Sequence, residues 1–327
     1  MTYSVGGLIQ AADYNGFVST NVGANVNAVW NSAYGQTALN TVSALGTVTA
    51  TQWASLVNTT ASLGTHTNTT LTSRTAPSAG QTINVLADVN TDLTNIYNNR
   101  YNAYAVGSQY TAWSGTNSKT SQTGTSGGSA WTITFTNTVS FASAAAASYF
   151  FNAGGLIKIQ TSKTSTGLTG DPEWNDLATT LCGAIWISGL ATSHTIAGTA
   201  YTGTTKIGGT GTPNTLSTGT GWDALVAGAA GTIVYKQFAD TAPYTANFIQ
   251  HTIAKDATSS VLTITTLWSA SDSNVPPVGG TDPISGGTAA SGATPGTAPC
   301  TIVTYFPPET TNLSNTWGTP AVTASTV

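Results

Sequence analysis

Trp131-Thr132-Ile133-Thr134-Phe135-Thr136 sets a large apolar side chain at every second position, with threonine between. An extended strand points successive side chains to opposite faces, so this run has one apolar face and one hydroxylated face. Threonine suits the second role, because it is β-branched and meets water without carrying charge. A half-buried strand is the reading, and the rest of the chain can be placed around it.

Downstream, Leu156–Gln160, Ala184–Ile187, Ile233–Phe238, Asn247–Ala254, Ser260–Trp268 and Thr301–Phe306 repeat the strand signal, separated by Gly- and Thr-rich stretches. Short strands spaced in this way predict a mainly β fold, an antiparallel β-sandwich of jelly-roll-like type over residues 129–327. Pro172–Leu177 and Gly221–Leu225 each hold a Trp-x-x-Leu step, which predicts short helical turns plugging the sandwich edge. Val275–Pro299 is too long for a hairpin and is expected on the surface as a contact arm.

Upstream, residues 111–128 form a Ser/Thr/Gly linker, and residues 1–110 change to helical spacing. Tyr14, Phe17, Val18, Val22, Val26, Val29 and Trp30 recur at helical steps, weakened at Gly16 and Gly23, and Tyr34-Gly35-Gln36 closes the segment. Thr49-Ala50-Thr51-Gln52 has capping-box spacing, with Trp53, Leu56, Val57 and Thr60 on one face behind it and Gly64 as the stop. From Ile83 to Arg100, the residues Leu86, Val89, Leu93 and Ile96 make a heptad-like seam. Two uses stay open for it: self-association, with a homotrimer in view, or packing on the two preceding helices.

Between four alanines and the strand at Leu156 stands Tyr149-Phe150-Phe151-Asn152-Ala153-Gly154-Gly155. Read as extended, it sends Phe150 and Phe151 to opposite faces, and Asn152 with Gly154-Gly155 makes a tight turn at positive φ. These residues are read as structural wiring.

Charged residues make up 6% of the 327, against about 25% in ordinary soluble domains, and the formal net charge is −4. Solubility must come from neutral hydroxyls and amides, or from a fixed place in an assembly. Eight Lys plus Arg argue against nucleic-acid binding, which needs clustered positive charge. No apolar run approaches the roughly 20 residues of a membrane span, and no secretory signal is read at the N-terminus.

Hydrolase, phosphate-loop and zinc-protease motifs are missing from the sequence. His66, His194 and His251 stand in unrelated contexts and are read as structural, and Cys182 and Cys300 as isolated buried thiols. Asp171, Glu173 and Asp176 are the best acidic cluster. They allow a Ca²⁺ site or a glycosidase carboxylate pair, but acids after Asp171-Pro172 also suit the first turn of a short helix, and that reading is preferred. Trp113, Trp222, Trp268 and Trp317 could stack on sugar rings, although most Trp in a β domain are core. No catalytic residue, cofactor or metal is expected.

In Asp13-Tyr14-Asn15, Val29-Trp30-Asn31, Tyr34-Gly35-Gln36, Val48–Trp53, Trp131–Phe135 and above all Tyr149–Gly155, the chain resembles virion structural proteins of tailed bacteriophages of the marine and cyanobacterial type. The Trp174–Leu177 and Gly221–Leu225 steps continue the resemblance. It departs at Ser148, where that group usually has Arg. The resemblance implies a non-enzymatic virion component, assembled in the host cytoplasm and exposed on the extracellular particle, with other virion proteins as partners. A tail, neck or baseplate fibre protein is the leading expectation, its N-terminus docking and its β domain projecting. A capsid decoration protein and a host-glycan-binding module are the alternatives.

Overall fold

The computed structural model describes residues 10–20, 25–80, 86–108, 117–118, 123–124, 131–163, 171–228, 230–242, 244–270 and 300–326. Its helices are α1 (Ala11–Asn15), α2 (Val26–Trp30), α3 (Ala50–His66), α4 (Leu86–Asn99), α5 (Ala144–Asn152) and α6 (Asp171–Asn175). π-Helical turns extend α1 over Gly16–Thr20 and α6 over Asp176–Leu181, and a 3-10 turn spans Trp222–Ala224. The early strands are β1 (Asn117–Ser118), β2 (Thr123–Gly124), β3 (Trp131–Ser140), β4 (Leu156–Ser162), β5 (Ala184–Ile187), β6 (His194–Ile196) and β7 (Thr199–Tyr201). Then come β8 (Thr204–Ile207), β9 (Thr215–Leu216), β10 (Thr232–Phe238), β11 (Phe248–Lys255), β12 (Val261–Ala270), β13 (Cys300–Phe306) and β14 (Ala321–Thr326).

The fold is mainly β, with antiparallel sheets and a few helices. One sheet has five strands in the order β1-β13-β4-β5-β8, and the other runs β14-β3-β12-β11-β10-β9 with β2 also on β3. The alternation holds along β3 from Thr132 onward: Ile133, Phe135 and Val139 are buried, and the threonines between them face outward. Register carries the pattern across the sheet, pairing Ile133 with Trp268 and Thr136 with Thr265. The outward side of this sheet is therefore rows of hydroxyls, with Thr252, Thr265 and Thr136 aligned across three strands.

The helix carrying Glu173 and Trp174 is inserted between the sheets. Trp174 stacks on Trp268 of β12 at 5.6 Å, and Thr161 of β4 donates to the Ala178 carbonyl at 3.0 Å. Tyr235 of β10 donates to the Cys182 carbonyl at 3.1 Å. Both Trp-x-x-Leu steps are helical turns, as read from sequence.

The capping box at the start of α3 forms: Thr49 Oγ1 accepts from the Gln52 amide and Gln52 Oε1 from the Thr49 amide, at 3.3 and 2.8 Å. Gly64 does not stop that helix, which runs to His66 while Leu71 packs where a Gly64 side chain would be. The first helical segment is broken into α1, a π turn and α2, and Gly16 opens the π turn.

One sequence expectation needs correction, and one open choice is narrowed. Val89, Leu93 and Ile96 are 4%, 1% and 0% exposed within this chain's own core, so these three residues of the α4 seam follow the second of its two uses, packing on the chain itself. The Leu86 side chain lies outside the described set. Phe150 and Phe151 belong to helix α5, not to an extended segment, because Ser143 caps it by accepting from the Ala146 amide at 3.1 Å and the alanines that follow favour helix. Of the expected turn only Gly154 is at positive φ, at +93° and against Ala103; Asn152 ends the helix, and Gly155 leads into β4 without a positive φ.

Helices and sheets share one hydrophobic core, which runs from Tyr14 through Trp53 and Phe150 to Trp317. The two parts are stitched by polar contacts as well. Asn152 donates to the Ala33 carbonyl at 3.1 Å, Gln36 exchanges hydrogen bonds with the Ser314 backbone at 2.8 and 3.0 Å, and Thr316 Oγ1 donates to the Tyr34 carbonyl at 2.6 Å. Most of the linker at 111–128, the arm at 275–299 and Trp113 lie outside the described residues.

Candidate functional site

The histidines are packed in place. His66 is fully buried, with Nδ1 2.8 Å from Glu309 Oε1 and its ring edge-on to Tyr34. Burial pushes the Glu309 carboxyl up, but hydrogen bonds from His66 and from the Asn312 amide and side chain outweigh it and hold the group at about 2. His194 Nδ1 lies 2.9 Å from the Thr192 carbonyl. His251 stacks on Tyr235 with Nδ1 2.9 Å from Thr266 Oγ1, and burial drives its pKa down to about 3. Cys182 and Cys300 are free and buried, and burial pushes the Cys182 thiol up to about 12. All five of these histidine and cysteine side chains are buried.

Trp222, Trp268 and Trp317 are 2%, 0% and 1% exposed, so these tryptophans are core and cannot stack on a sugar. Phe151 stacks on Trp222 at 5.2 Å with an interplanar angle of 18°. Gly35, at φ +70°, lies so close to the Tyr149 ring that any side chain there would collide with it. Phe150, Phe151, Asn152, Gly154 and Gly155 thus form a junction, not a binding site.

Open chemistry gathers at a different corner. Glu173 and Asp176 are three residues apart on the inserted helix and share a face. Asp240 follows the end of β10 and the buried Ala239, and it brings its carboxylate to the other two. One oxygen from each lies within 4.8 Å of the others. Asp176 is half-buried, Asp240 exposed and Glu173 only 8% exposed. Burial raises the Glu173 pKa, the Asp176 and Asp240 charges raise it further, and Thr241 hydrogen bonds oppose the rise.

Glu173 Oε1 is sealed from solvent and has no hydrogen-bond partner among the described residues. Gln237, 5% exposed, also has a sealed and unpartnered Oε1, its amide nitrogen being spent on the Phe238 carbonyl at 2.9 Å. Gln237 and Asp240 line the same cleft of about 510 Å³, together with Leu181, Thr210 and Asn214. Asp171, whose side chain is outside the described set, opens α6 as the turn reading required. Asp240 escaped the sequence reading because strand pairing, not local spacing, brings it here.

Among the described residues, no helix is long and apolar enough to cross a membrane. No protein-family model, curated protein or solved structure matches the chain.

Proposed function

We propose that this chain is a non-enzymatic structural component of a tailed-phage virion, its two sheets forming a jelly-roll-like sandwich around the inserted helices. One observation carries the reading. Three of the segments that resemble the phage group lie far apart in sequence yet meet at one junction, where Gly35 packs on Tyr149, Asn152 donates to the Ala33 carbonyl and Phe151 stacks on Trp222. The resemblance therefore falls on residues that build the fold, and the strand crossings β3 to β4, β8 to β9 and β12 to β13 support the sandwich. The hydroxylated outer face of the larger sheet suits a surface that stays soluble without charge.

A tail, neck or baseplate protein is the leading placement. The shared core favours a compact body over a detachable anchor bearing a projecting arm, and this one observation supports capsid decoration as the second placement. A trimer, if formed, must use a surface other than the α4 seam. Peptide mass spectrometry and cryo-EM of phage particles assembled in a host expressing this gene test the proposal. Stoichiometric presence with density matching the two-sheet body is expected. Absence from purified particles overturns it.

A further inference from the structure

We propose that the cleft beside the first half of α3 binds a neutral saccharide unit, with the Trp30 ring as its wall and the Tyr14 hydroxyl as a hydrogen-bonding group. The cleft holds about 490 Å³, an ordinary size for a small-ligand site. Thr51, Ser55 and Thr59 step by four along α3 and line it with one row of hydroxyls.

None of the described lining residues is charged. By contrast, the cleft beside β10 carries Asp240, and the cleft at the far half of α3 carries Arg74. A lining of hydroxyls, amides and aromatic rings offers no counter-ion to a carboxylate or a phosphate. It matches a ligand that is itself uncharged and dense in hydroxyls, each able to donate and accept.

Surface hydroxyls alone are common in this chain. Here the buried part of the lining calls for a ligand. Tyr14 is 1% exposed and stands edge-on to Trp53 at 5.6 Å, yet its hydroxyl makes no hydrogen bond to any described residue. Burial raises its pKa, and no hydrogen bond acts on the group in either direction. A buried tyrosine hydroxyl usually finds a partner within the protein. This one lines the cleft, so the partner enters from there, as water in the free protein and as a sugar hydroxyl in the complex. Trp30 supplies the apolar surface. Its Nε1 donates to the Thr37 carbonyl at 3.0 Å, which fixes the indole while the ring stays half-buried at the wall. Gln52 is fixed as well: the Thr49 amide holds its Oε1, and its Nε2 has no acceptor among the described residues. This inference stands whether or not the chain is a virion protein.

The test is binding of the full chain to a glycan array that carries neutral hexose and N-acetylhexosamine glycans beside sialylated and uronic-acid ones. Titration calorimetry of the strongest neutral glycan then measures Kd. Neutral glycans are expected to bind and acidic ones to fail. Trp30→Ala should weaken binding at least roughly tenfold. Tyr14→Phe keeps the ring against Trp53, so it should leave Tm unchanged and weaken binding roughly fivefold. Tyr104→Ala removes an exposed ring from the cleft that carries Arg74 and should bind as the parent does. No bound neutral glycan, a preference for acidic glycans, or unchanged affinity in Tyr14→Phe overturns the proposal.

Discussion

The two sheets solve the problem of low charge in opposite ways. The five-stranded sheet is covered on both faces. Its inner side gives Ile157, Ile159, Ile185, Ile187, Val303 and Tyr305 to the main core. Its outer side carries Leu156, Trp186 and Phe306 beneath the β6–β7 hairpin and the segment around Ala103, where Ile196, Tyr201 and Ala103 close a second small core. The seven-stranded group leaves its outer face to water, armed with threonine. Its inner face hides polar groups among the apolar ones: Asn137, His251, Thr266 and Gln237 are all nearly or fully buried. Apolar cover and hydroxyl rows are alternative answers to the same shortage of charge.

Four substitutions sharpen that contrast. Trp186 packs on Phe306 at 5.0 Å and Tyr201 at 5.9 Å, so Trp186→Ala should cost about 3 kcal/mol in urea unfolding, although it sits on an outer face. His251→Phe tests the polar interior of the other sheet. Folded His251 holds its pKa near 3, below the ordinary 6.5, so the unfolded chain takes up this proton first. That share of stability is present above pH 6.5 and is lost as the pH falls toward 3. Between pH 7 and pH 5, the parent should therefore lose about 2 kcal/mol relative to the variant. A gap that does not move with pH would mean His251 titrates normally.

Asn137 is 0% exposed in the middle of β3, and neither end of its amide has a partner among the described residues. It pairs with Ile264 on one side and Ala324 on the other. Removing an unpaired buried amide relieves its desolvation cost, so Asn137→Val should raise stability by about 1 kcal/mol. A loss instead would reveal a partner for the amide. Thr265→Ala on the open face should change stability least, by about 0.5 kcal/mol. A loss as large as that at Trp186 would erase the distinction between the two outer faces.

What was legible in the sequence was local. The capping box at Thr49 and Gln52 is a matter of neighbouring backbone groups, and Ala184–Ile187 was placed as the same strand the structure shows. The helical turns at Trp174 and Trp222 were legible because their Trp-x-x-Leu steps repeat the helical period. Tyr149–Asn152 misled because paired phenylalanines favour strands, whereas the preceding Ser143 and four alanines had already committed the backbone to helix. The β6–β7 hairpin escaped because its turn uses Ala197-Gly198, both at positive φ, in place of the usual Asn-Gly signal.

Partners were harder to read than elements. The α4 seam has the same spacing whether it faces a second copy or Trp53 and its neighbours in the same chain. Periodicity reports that a face is buried and not what buries it. Asp240 was invisible as part of the acidic corner for the same reason: only the register of β10 against β11 and the inserted helix brings it to Glu173. The fold was read in pieces, and the pieces met through contacts that no local pattern encodes.

The central claim is that helices and sheets form one body around a shared main core. Differential scanning calorimetry of the full chain tests it most directly. The account predicts a single endotherm whose calorimetric and van't Hoff enthalpies agree. Two resolved transitions, one melting the helical region and one the sheets, would contradict it.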